Sequence, residues 1–534
     1  MNKNRKGFTI VELVIVIAII AILAAVLIPT FASLIAKANV SADTQLVRNL
    51  NTALTTEKAG GENNKTMNDA LKMAKNAGYD IDRIVSKSGN NIGWDSKNDR
   101  FVLIDAGNNT FIYPTDAGAN AQKIADADMV NYFVISKTVP ATTDQKYSIY
   151  LSKDATLADG TVTVSVGFDA GENTNVKTVT YTSDATQNVI IRTNGGTLTV
   201  NGAESSVDHY GAANLIDIEK VKDASFHEFG SAAVVTVTSG RFVAESTAKV
   251  LRVHAAASTA KLAEVSGANV VEYTKAANVE VTVENSTKKV AEASETLDAI
   301  KNTGKNTELV AEGGVAEING IQFKDLQSAF NAANDGDTIK VLDNIDLALT
   351  ASVKKVTVTL DMNGKTITNT SDLWDVQNKD AANWSLVSVK EGGNLTITGN
   401  GAFKAKANDC YAVDIQDGSK CTIENGIFVG NISAVYVLEG ELTVNGGTYS
   451  VQQKYSDATK ADEFVLNCYD ANREAKTAII TVTGGTFIKF NPANCKAEGA
   501  NTNFCADGYT TEKSQIPSTT ALEDVQYTVV KKAN

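Results

Sequence analysis

The sequence is short of proline, cysteine and histidine, and it carries no excess of positive charge. Among 534 residues there are 5 prolines, 5 cysteines and 3 histidines, and the formal net charge is -13. Lys and Arg do not cluster beyond the first few positions, so a nucleic-acid-binding surface is not indicated. No G-x-G-x-x-G or phosphate loop lies between a predicted strand and helix, so nucleotide cofactors are not expected.

The five cysteines all lie late in the chain, and none belongs to a C-x-x-C pair, which disfavours a zinc site. Because their number is odd, they cannot all pair within one chain. A bridge between Cys495 and Cys505 is one option in an extracellular setting, and buried free thiols are another. The cysteines whose state the sequence leaves open are Cys410, Cys421, Cys468, Cys495 and Cys505.

Apolar residues and glycine are plentiful, at 43% of the chain and 38 residues respectively. Val, Thr and Asn recur through the second half, a composition typical of strands and turns. The length suggests several domains. We therefore expect an α+β protein that is mostly β.

The first 28 residues combine a basic start with a long apolar run. Residues 1–7 read MNKNRKG, and residues 8–28 read FTIVELVIVIAIIAILAAVLI. As a helix this run would span roughly 30 Å, the thickness of the hydrocarbon core of a bilayer. Positive charge before the run predicts a cytoplasmic N-terminus, with the rest of the chain outside.

Glu12 lies inside the apolar run, and Gly7 lies before it. A secretory signal peptide places its small-residue cleavage site after the apolar region, so it does not explain this order. A carboxylate in lipid costs on the order of a few kcal/mol and is normally functional or paired. Cleavage after Gly7 would create an α-amino group at Phe8, and we expect the Phe8 amine of a neighbouring subunit to be the partner of Glu12.

The string KGFTIVEL at residues 6–13 resembles the processing motif of type IV pilins and of the related pseudopilins of type II secretion systems. The resemblance implies a prepilin peptidase and methyltransferase that cuts between Gly7 and Phe8 and N-methylates Phe8. It implies assembly with other pilin subunits, in which Glu12 neutralises the Phe8 amine next to it. It also implies that Pro29 bends the helix just past the membrane-embedded stretch.

The apolar spacing divides the chain into six segments. After a leader at 1–7, a transmembrane and filament-core helix is predicted over 8–58, ending before two glycines. A helix over 66–77 and a meander over 91–113 predict a small pilin-like α/β head at 59–145. Residues 146–291 form a β-rich region, either a β-helix or a sandwich, and 292–306 read as a linker.

The last segment, 307–534, repeats a unit of an apolar-Thr-apolar strand, a glycine and an aromatic residue. The spacing is close to one coil of a parallel β-helix. Residues 323–347 resemble the capped opening of right-handed β-helices of the pectin-lyase-like superfamily. The aromatic residues of the four clearest units are Phe403, Phe428, Tyr449 and Phe487.

Enzymes of that superfamily use clustered carboxylates, so an active site must be considered. The acidic residues here do not recur in pairs with Lys or Arg at coil spacing, and we expect no catalytic site, cofactor or metal. The histidines, without a regular third ligand, are expected to be hydrogen-bonded structural residues. The residues weighed are Asp409, Asp414, Asp417, Glu424, His209, His227 and His254.

These patterns predict a structural subunit, minor or at the tip of a filament, that displays a β-helical region for adhesion or substrate binding. Its expected location is the cell membrane as a single-pass precursor and then a filament at the cell surface. Beyond other pilins, glycans or a host or other-cell surface are candidate partners. The alternatives are a pseudopilin in secretion or DNA uptake and a surface-tethered polysaccharide enzyme.

Overall fold

The computed structural model describes residues 9–61, 67–80, 84–115, 122–139, 146–153, 155–164, 166–181, 189–203, 206–221, 225–374, 384–453, 464–495, 498–499, 502–517 and 524–533. The chain forms two compact units. The first comprises residues 1–192, 201–208 and 222–225, and the second comprises 193–200, 209–221 and 226–534. Gly7 and Phe8 lie outside the described residues.

Helix α1 (Ile10–Ala59) begins the first unit and is 50 residues long. Its N-terminal part is apolar and none of the most apolar 18-residue stretch is buried, and by length and composition it can cross a membrane. Pro29 lies within the helix, and Gly60 forms its C-cap. The long N-terminal helix predicted from the apolar spacing is therefore confirmed, with bounds that differ from 8–58 by one or two residues.

The C-terminal part of α1 is amphipathic and packs on a small core. Its buried Leu50 and Leu54 share this core with Trp94 and Phe101, whose ring centroids are 5.2 Å apart. Asn51 ties the helix to the sheet, because its amide donates to the Phe101 carbonyl at 2.8 Å and accepts from the Phe101 N–H at 2.7 Å. Each fully buried Leu contributes about 2 kcal/mol to this packing.

The rest of the first unit is helix α2 (Met67–Asn76) and a sheet that changes from antiparallel to parallel. Strand β1 pairs antiparallel with β2 and β4, and β4 pairs parallel with β5. Strand β4 lies before the domain boundary that the sequence predicted at 145/146, and β5 lies after it, so this pair joins the two predicted segments within the first unit. Short 3₁₀ helices occupy Asp126–Asn131 and Ala158–Gly160. The strands are β1 (Asn91–Asp95), β2 (Arg100–Ile104), β3 (Phe111–Tyr113), β4 (Tyr132–Ser136), β5 (Ser148–Leu151), β6 (Thr161–Val164), β7 (Phe168–Asp169), β8 (Thr178–Tyr181) and β9 (Val189–Asn194).

The next ten strands run up to residue 292. They are β10 (Thr197–Ala203), β11 (Val207–Val221), β12 (Ser225–Glu228), β13 (Ser231–Val237), β14 (Gly240–Ala244), β15 (Lys249–Ala255), β16 (Ala260–Glu264), β17 (Asn269–Lys275), β18 (Val283–Glu284) and β19 (Val290–Glu292). In the second unit β13, β15, β17 and β19 pair in parallel as one row, and β14, β16 and β18 as another. The sequence left a β-helix and a β-sandwich open for residues 146–291, and these parallel rows favour the β-helix.

The segment predicted as a linker, 292–306, contains helix α3 (Leu297–Lys305), which Thr296 caps. Ile300 of this helix is fully buried against Leu215 and Val234. Gly304 allows the close approach, since a Cβ there would meet the Asn214 carbonyl oxygen at 3.0 Å. The segment was predicted as a linker because it is mostly polar. A helix that buries only two of its residues needs few apolar positions, so its periodicity is weak.

The remainder of the second unit, here called the C-terminal coil (residues 307–534), winds through three parallel rows. The first row is β23, β26, β29, β32, β35 and β38, the second is β24, β27, β30, β33, β36 and β39, and the third is β25, β28, β31, β34 and β37. Their bounds are β20 (Leu309–Val310), β21 (Ala316–Ile318), β22 (Ile321–Phe323), β23 (Thr338–Val341), β24 (Ile345–Asp346), β25 (Ala351–Lys354), β26 (Thr357–Asp361), β27 (Thr366–Thr368), β28 (Ser385–Lys390), β29 (Asn394–Thr398), β30 (Ala402–Lys404), β31 (Tyr411–Ile415), β32 (Ser419–Ile423), β33 (Ile427–Gly430), β34 (Val435–Val437), β35 (Gly440–Val444), β36 (Thr448–Val451), β37 (Leu466–Cys468), β38 (Ala478–Val482), β39 (Thr486–Ile488), β40 (Tyr509–Gln515) and β41 (Val525–Lys531), with helices α4 (Leu326–Ala332) and α5 (Asp470–Glu474).

The repeat seen in the sequence forms the interior of this coil. Phe403, Phe428, Tyr449 and Phe487 are fully buried and stack face to face, with successive ring centroids 5.1, 5.1 and 4.8 Å apart. This spacing is close to the strand separation in a sheet, so each coil supplies one ring. The parallel coil predicted for 307–534 is present, and its right-handed sense stays a prediction.

Both ends of the C-terminal coil are closed by antiparallel pairs. At the start, β21 pairs with β22 and with β23, and α4 packs Leu326 and Phe330 into the core. At the end, β41 pairs antiparallel with both β39 and β40. The last strand of the first row, β38, is also paired at its outer edge, because its final residue Val482 forms an isolated parallel β-bridge with Cys505.

Candidate functional site

Glu12 and Thr9 form a reciprocal cap at the start of α1. The Thr9 N–H and hydroxyl both donate to Glu12 Oε2, at 2.9 and 2.8 Å, and the Glu12 N–H donates to Thr9 Oγ1 at 3.3 Å. Such a capping box satisfies backbone donors that the first turn of a helix leaves open. The cap gives Glu12 a local role that the sequence reasoning did not assign to it.

The cap leaves Glu12 able to bind a partner. Its side chain is exposed, and within the described part of the chain both Thr9 donors reach the same oxygen, Oε2. Because a carboxylate has about four acceptor positions, Oε1 retains capacity for a donor from another molecule. Phe8 lies outside the described residues, so its pairing with Glu12 across subunits stays a prediction.

Pro29 sits in the middle of the exposed apolar part of α1 without ending the helix. It has no N–H for the carbonyl of Ala25, four residues earlier, and so the helix loses one hydrogen bond there. The next residue, Thr30, donates its hydroxyl to the Val26 carbonyl at 2.9 Å. The bend expected at Pro29 stays a prediction.

Of the acidic residues weighed as catalytic candidates, Asp409 holds a backbone segment in place. Its carboxylate accepts hydrogen bonds from the Asn369 side chain at 2.6 Å and from the N–H groups of Leu373 and Trp374 at 2.9 Å each. The side chain is nearly fully buried. Its acceptor positions are thus used to position the chain around Trp374.

Asp414 is the most deeply buried of these acids. It accepts hydrogen bonds from the hydroxyls of Ser385 and Ser388 and from the Gln416 amide. Burial raises the pKa of Asp414 to about 6, although these three donors oppose the rise. None of its side chain is exposed, so it cannot contact a ligand in this arrangement.

Asp417 and Glu424 lie in the connections between coils. Asp417 accepts from the Glu391 N–H at 3.3 Å, and Glu424 accepts from the Asn445 side chain at 3.0 Å. Each carboxylate therefore bonds to a neighbouring coil, as expected for turn residues.

The histidines are hydrogen-bonded, as the sequence predicted. His209 Nε2 lies 2.7 Å from Thr193 Oγ1, and its Nδ1 lies 2.7 Å from Glu228 Oε2. This hydroxyl–imidazole–carboxylate order matches that of a nucleophilic triad. However, Thr193, His209 and Glu228 are 2%, 0% and 0% exposed, so no substrate can reach them and the chain of bonds links coils instead.

The other two histidines bind different partners. His227 Nδ1 lies 2.6 Å from Glu245 Oε1, and His254 Nδ1 lies 3.0 Å from Thr274 Oγ1. Among the residues that the structure describes, no three His, Cys, Asp or Glu side chains converge on a common position suited to a metal ion. None of the five cysteines forms a disulfide, and all five are buried, which answers the question that their odd number raised.

A group of four aromatic side chains beside the third row, two of them on its strands β31 and β34, was not recognised from the sequence. This aromatic cluster consists of Trp374, Trp384, Tyr411 and Tyr436. The two indoles are stacked with centroids 6.4 Å apart, Tyr411 meets Trp374 edge-on at 5.3 Å, and Tyr436 meets Trp384 edge-on at 6.3 Å. The tyrosine centroids are 5.1 Å apart, so the four rings form a closed circuit.

The cluster is half-buried rather than part of the core. Trp374, Trp384 and Tyr436 each keep part of their surface exposed, whereas Tyr411 is nearly covered. Two of the three tryptophans in the chain belong to it. The ten-residue separation of Trp374 and Trp384 was the one signal in the sequence. The two tyrosines lie on later strands and reach the tryptophans only through the register of the coils.

The N-terminal segment matches known proteins. Residues 2–28 match the prokaryotic N-terminal methylation motif. The chain is 47% identical over 57 residues to a fimbrial protein of Moraxella nonliquefaciens, and 56% identical over 52 residues to the type IV wide pilus major component PilA4 of Thermus thermophilus. These matches cover 11% and 10% of this chain and 37% of each relative. No solved structure matches the chain.

The chain thus carries a prepilin-type methylation motif at its N-terminus, is similar to pilins over a short segment and has an exposed apolar helix beginning at Ile10. These features fit a membrane-anchored precursor and a surface filament, and they support a pilin-type subunit. The similarity to the two relatives extends over 57 and 52 residues of this chain. The β-rich remainder is therefore characterised only by its own structure.

Proposed function

We propose that the protein is a minor or tip-located subunit of a type IV pilus, displaying its parallel coils outside the cell for adhesion. In this proposal a prepilin peptidase cuts between Gly7 and Phe8 and methylates Phe8, with the N-terminus initially in the cytoplasm. Other pilins are its assembly partners. The observation that carries the proposal is the methylation motif leading directly into an exposed apolar helix.

The exposed apolar part of α1 supports assembly through this helix. Large side chains such as Ile10, Val14 and Leu27 are between 47% and 81% exposed in the isolated chain. A soluble monomer rarely exposes an apolar surface of this extent, which marks membrane or subunit contact. Lipid covers this surface before assembly, and neighbouring helices cover it in the filament.

The size of the region that follows α1 supports the minor or tip position. The residues beyond 59 form most of a chain of 534 residues, all attached to a single helix. Densely packed helices in a filament leave limited room for such a mass on every subunit, whereas the tip does not impose this limit.

The proposal includes a non-catalytic role for the coils. Asp409 and Asp414 are engaged in buried structural hydrogen bonds, and the Thr193–His209–Glu228 chain is closed to solvent. An acid or nucleophile must reach its substrate within hydrogen-bond distance. Binding without turnover is therefore the use of the coils that these residues support.

Two substitutions at the cap separate assembly from helix capping. Glu12→Gln keeps an acceptor for Thr9 and hence the capping box, but it removes the charge. Thr9→Val removes the cap, at about 1 kcal/mol, and keeps the charge. We expect Glu12→Gln to insert normally but to be depleted at least tenfold from sheared filaments, and Thr9→Val to assemble; immunoblots of membrane and filament fractions measure both.

Normal assembly of the Glu12→Gln subunit would overturn the role of the charge. Loss confined to Thr9→Val would assign Glu12 to capping alone, and equal loss in both variants would show that assembly needs the cap as well as the charge. Mass spectrometry of the assembled subunit should show N-methylated Phe8 as the first residue, and an intact Met1 would refute processing.

Immunogold labelling tests the position of the subunit. We expect gold at filament ends, and label along the whole length would contradict the tip assignment. Label confined to short structures within the envelope would instead favour the pseudopilin alternative, since pseudopilins share the processing motif.

A further inference from the structure

We infer that the aromatic cluster is a binding site for a neutral glycan built of pyranose rings. The inference rests on the proposed adhesive function and names its ligand class. Flat aromatic faces match the apolar C–H face of a pyranose, and the hydroxyl rim of the sugar needs neighbouring hydrogen-bond partners. The third row supplies both kinds of group at one place.

The rings are held before any ligand arrives. The backbone N–H of Trp374 donates to the Asp409 carboxylate at 2.9 Å. The backbone carbonyl of Trp384 accepts from the backbone N–H of Tyr411 at 2.7 Å. Each indole also contacts a tyrosine ring edge-on. Because little conformational freedom remains to be lost, such a rigid surface binds with a small entropic cost.

The polar groups beside the rings suit a hydroxyl-rich ligand. Burial raises the pKa of the Tyr436 hydroxyl to about 12, so it remains a neutral donor and acceptor. Asn467 lies next to Tyr436 in register on the following strand, and its amide is 3.4 Å from the Ser433 hydroxyl. A bond of that length is weak, which leaves the amide able to turn toward a ligand.

The charges around the cluster favour a neutral ligand. Asp372 is 73% exposed, and the Lys406 ammonium lies 2.7 Å from its carboxylate and balances it. The Asp409 carboxylate, which binds the Trp374 backbone N–H, shares the same Lys406 charge with Asp372, so the local balance is acidic and an anionic polysaccharide would be repelled. Stacking of nucleic-acid bases needs a positively charged groove, which a chain of net charge -13 does not favour.

The direction of the row fits an extended chain of sugars. Tyr411 and Tyr436 come from successive strands of the third row, and their ring centroids are 5.1 Å apart. Adjacent strands in a sheet are about 4.8 Å apart. A linear glycan lying along the row therefore meets Tyr436 on one coil and the Asn467 amide at the position in register on the next.

The experiment uses the full mature chain in a detergent without a sugar headgroup. The probes are hexasaccharides of β-1,4-linked glucose, N-acetylglucosamine and mannose and of α-1,4-linked glucose, with affinities from calorimetry. We expect at least one to bind, and Trp384→Ala to weaken it at least tenfold. Tyr210→Ala is the matched control, because Tyr210 and Phe229 form another half-buried stacked pair with ring centroids 4.8 Å apart. The affinity of this variant for the hexasaccharide should equal that of wild type.

A second measurement needs no variant and so does not depend on variant folding. Oxidation of the wild-type chain with N-bromosuccinimide, followed by peptide mass spectrometry, reports each tryptophan separately. The bound hexasaccharide should protect Trp374 and Trp384. Trp94, which is fully buried, should stay unmodified with and without the sugar and serves as the internal control.

The outcomes separate this inference from the proposed function. If a hexasaccharide binds equally to wild type and Trp384→Ala without protecting either indole, the cluster is not the site, although adhesion through glycans stands. If none binds at millimolar concentration, the ligand class is wrong. If the cluster binds an extracellular protein or an anionic polysaccharide but no neutral hexasaccharide, the inference is overturned while display at the filament tip remains open to immunogold labelling.

Discussion

Asp414 shows how a polar residue is accommodated on the covered face of the third row. Its carboxyl group is removed from water and bound by two hydroxyls and an amide. Each of those bonds favours the ionised form, yet burial dominates and raises the pKa of Asp414 to about 6. The residue therefore titrates within the range that a surface protein meets.

This titration predicts a pH-dependent stability. A carboxyl whose pKa is raised on folding contributes stability that is complete below its unfolded pKa, about 4, and is lost as the pH rises through the folded pKa, about 6. The change corresponds to about 3 kcal/mol. Part of this change lies below pH 4.5, so relative to wild type Asp414→Asn should gain about 2 kcal/mol of unfolding free energy between pH 4.5 and pH 7.5.

Denaturant unfolding followed through the fluorescence of Trp374 and Trp384 measures this difference, because both lie in the same unit as Asp414. Other titrating groups are common to the two proteins and cancel in the comparison. A difference that is the same at both pH values would mean that Asp414 ionises normally in the folded state.

The elements of the C-terminal coil are held together by their stacked interior. Gly426, Gly447 and Gly485 each have a positive φ, between 96° and 124°, which directs the chain around a corner just before the next aromatic residue. A side chain in that conformation would be strained. The glycine and the ring two positions later thus form one structural unit, repeated from coil to coil.

Phe428 in the middle of the stack tests this arrangement. Its ring lies 5.1 Å from both Phe403 and Tyr449 and is fully buried. Phe428→Ala should lower the unfolding free energy by about 3–5 kcal/mol, the usual cost of removing a buried aromatic ring. The adjacent Ile427, 47% exposed on the opposite side of β33, is the control, and Ile427→Ala should cost less than about 1 kcal/mol.

Chemical denaturation of the two variants, followed by fluorescence, provides the comparison. Equal losses would show that the ring stack adds nothing beyond strand propensity. A loss at Phe428 alone would place the stabilisation in the interior of the coil.

The sequence predicted those elements whose pattern is local, and it missed those that depend on contacts between residues distant in the chain. The apolar run of α1 and the Gly-aromatic repeat are local patterns, and both elements were predicted. Helix α3 was missed because only Ile300 and Gly304 face the core. The aromatic cluster was missed because Trp374, Tyr411 and Tyr436 are brought together by a register that depends on the lengths of the intervening loops.

At the scale of the whole molecule, the five cysteines report on global folding. All are buried and none forms a disulfide, and burial raises the pKa of Cys421 to about 12 and that of Cys505 to about 11. Since the thiolate is the reactive form, a buried neutral thiol is inert. Iodoacetamide at pH 8 should therefore leave the native chain unmodified.

In concentrated guanidinium chloride without reductant, the same reagent should add five carbamidomethyl groups, counted by intact mass. Only three additions, with two more after reduction, would reveal a disulfide. Rapid labelling of one site in the native chain would instead identify a coil that opens locally.

The antiparallel strands β40 and β41 have a consequence for how copies of this chain can associate. A parallel coil whose last strand offers free N–H and C=O groups is a template on which another chain can add in register, the growth step of cross-β fibres. Here β41 occupies the edge of β39, and residues around Cys505 border β38. Parallel addition of another chain directly onto β38 or β39 is thereby opposed, so the contacts that close the coil also protect these two strands from amyloid-like association.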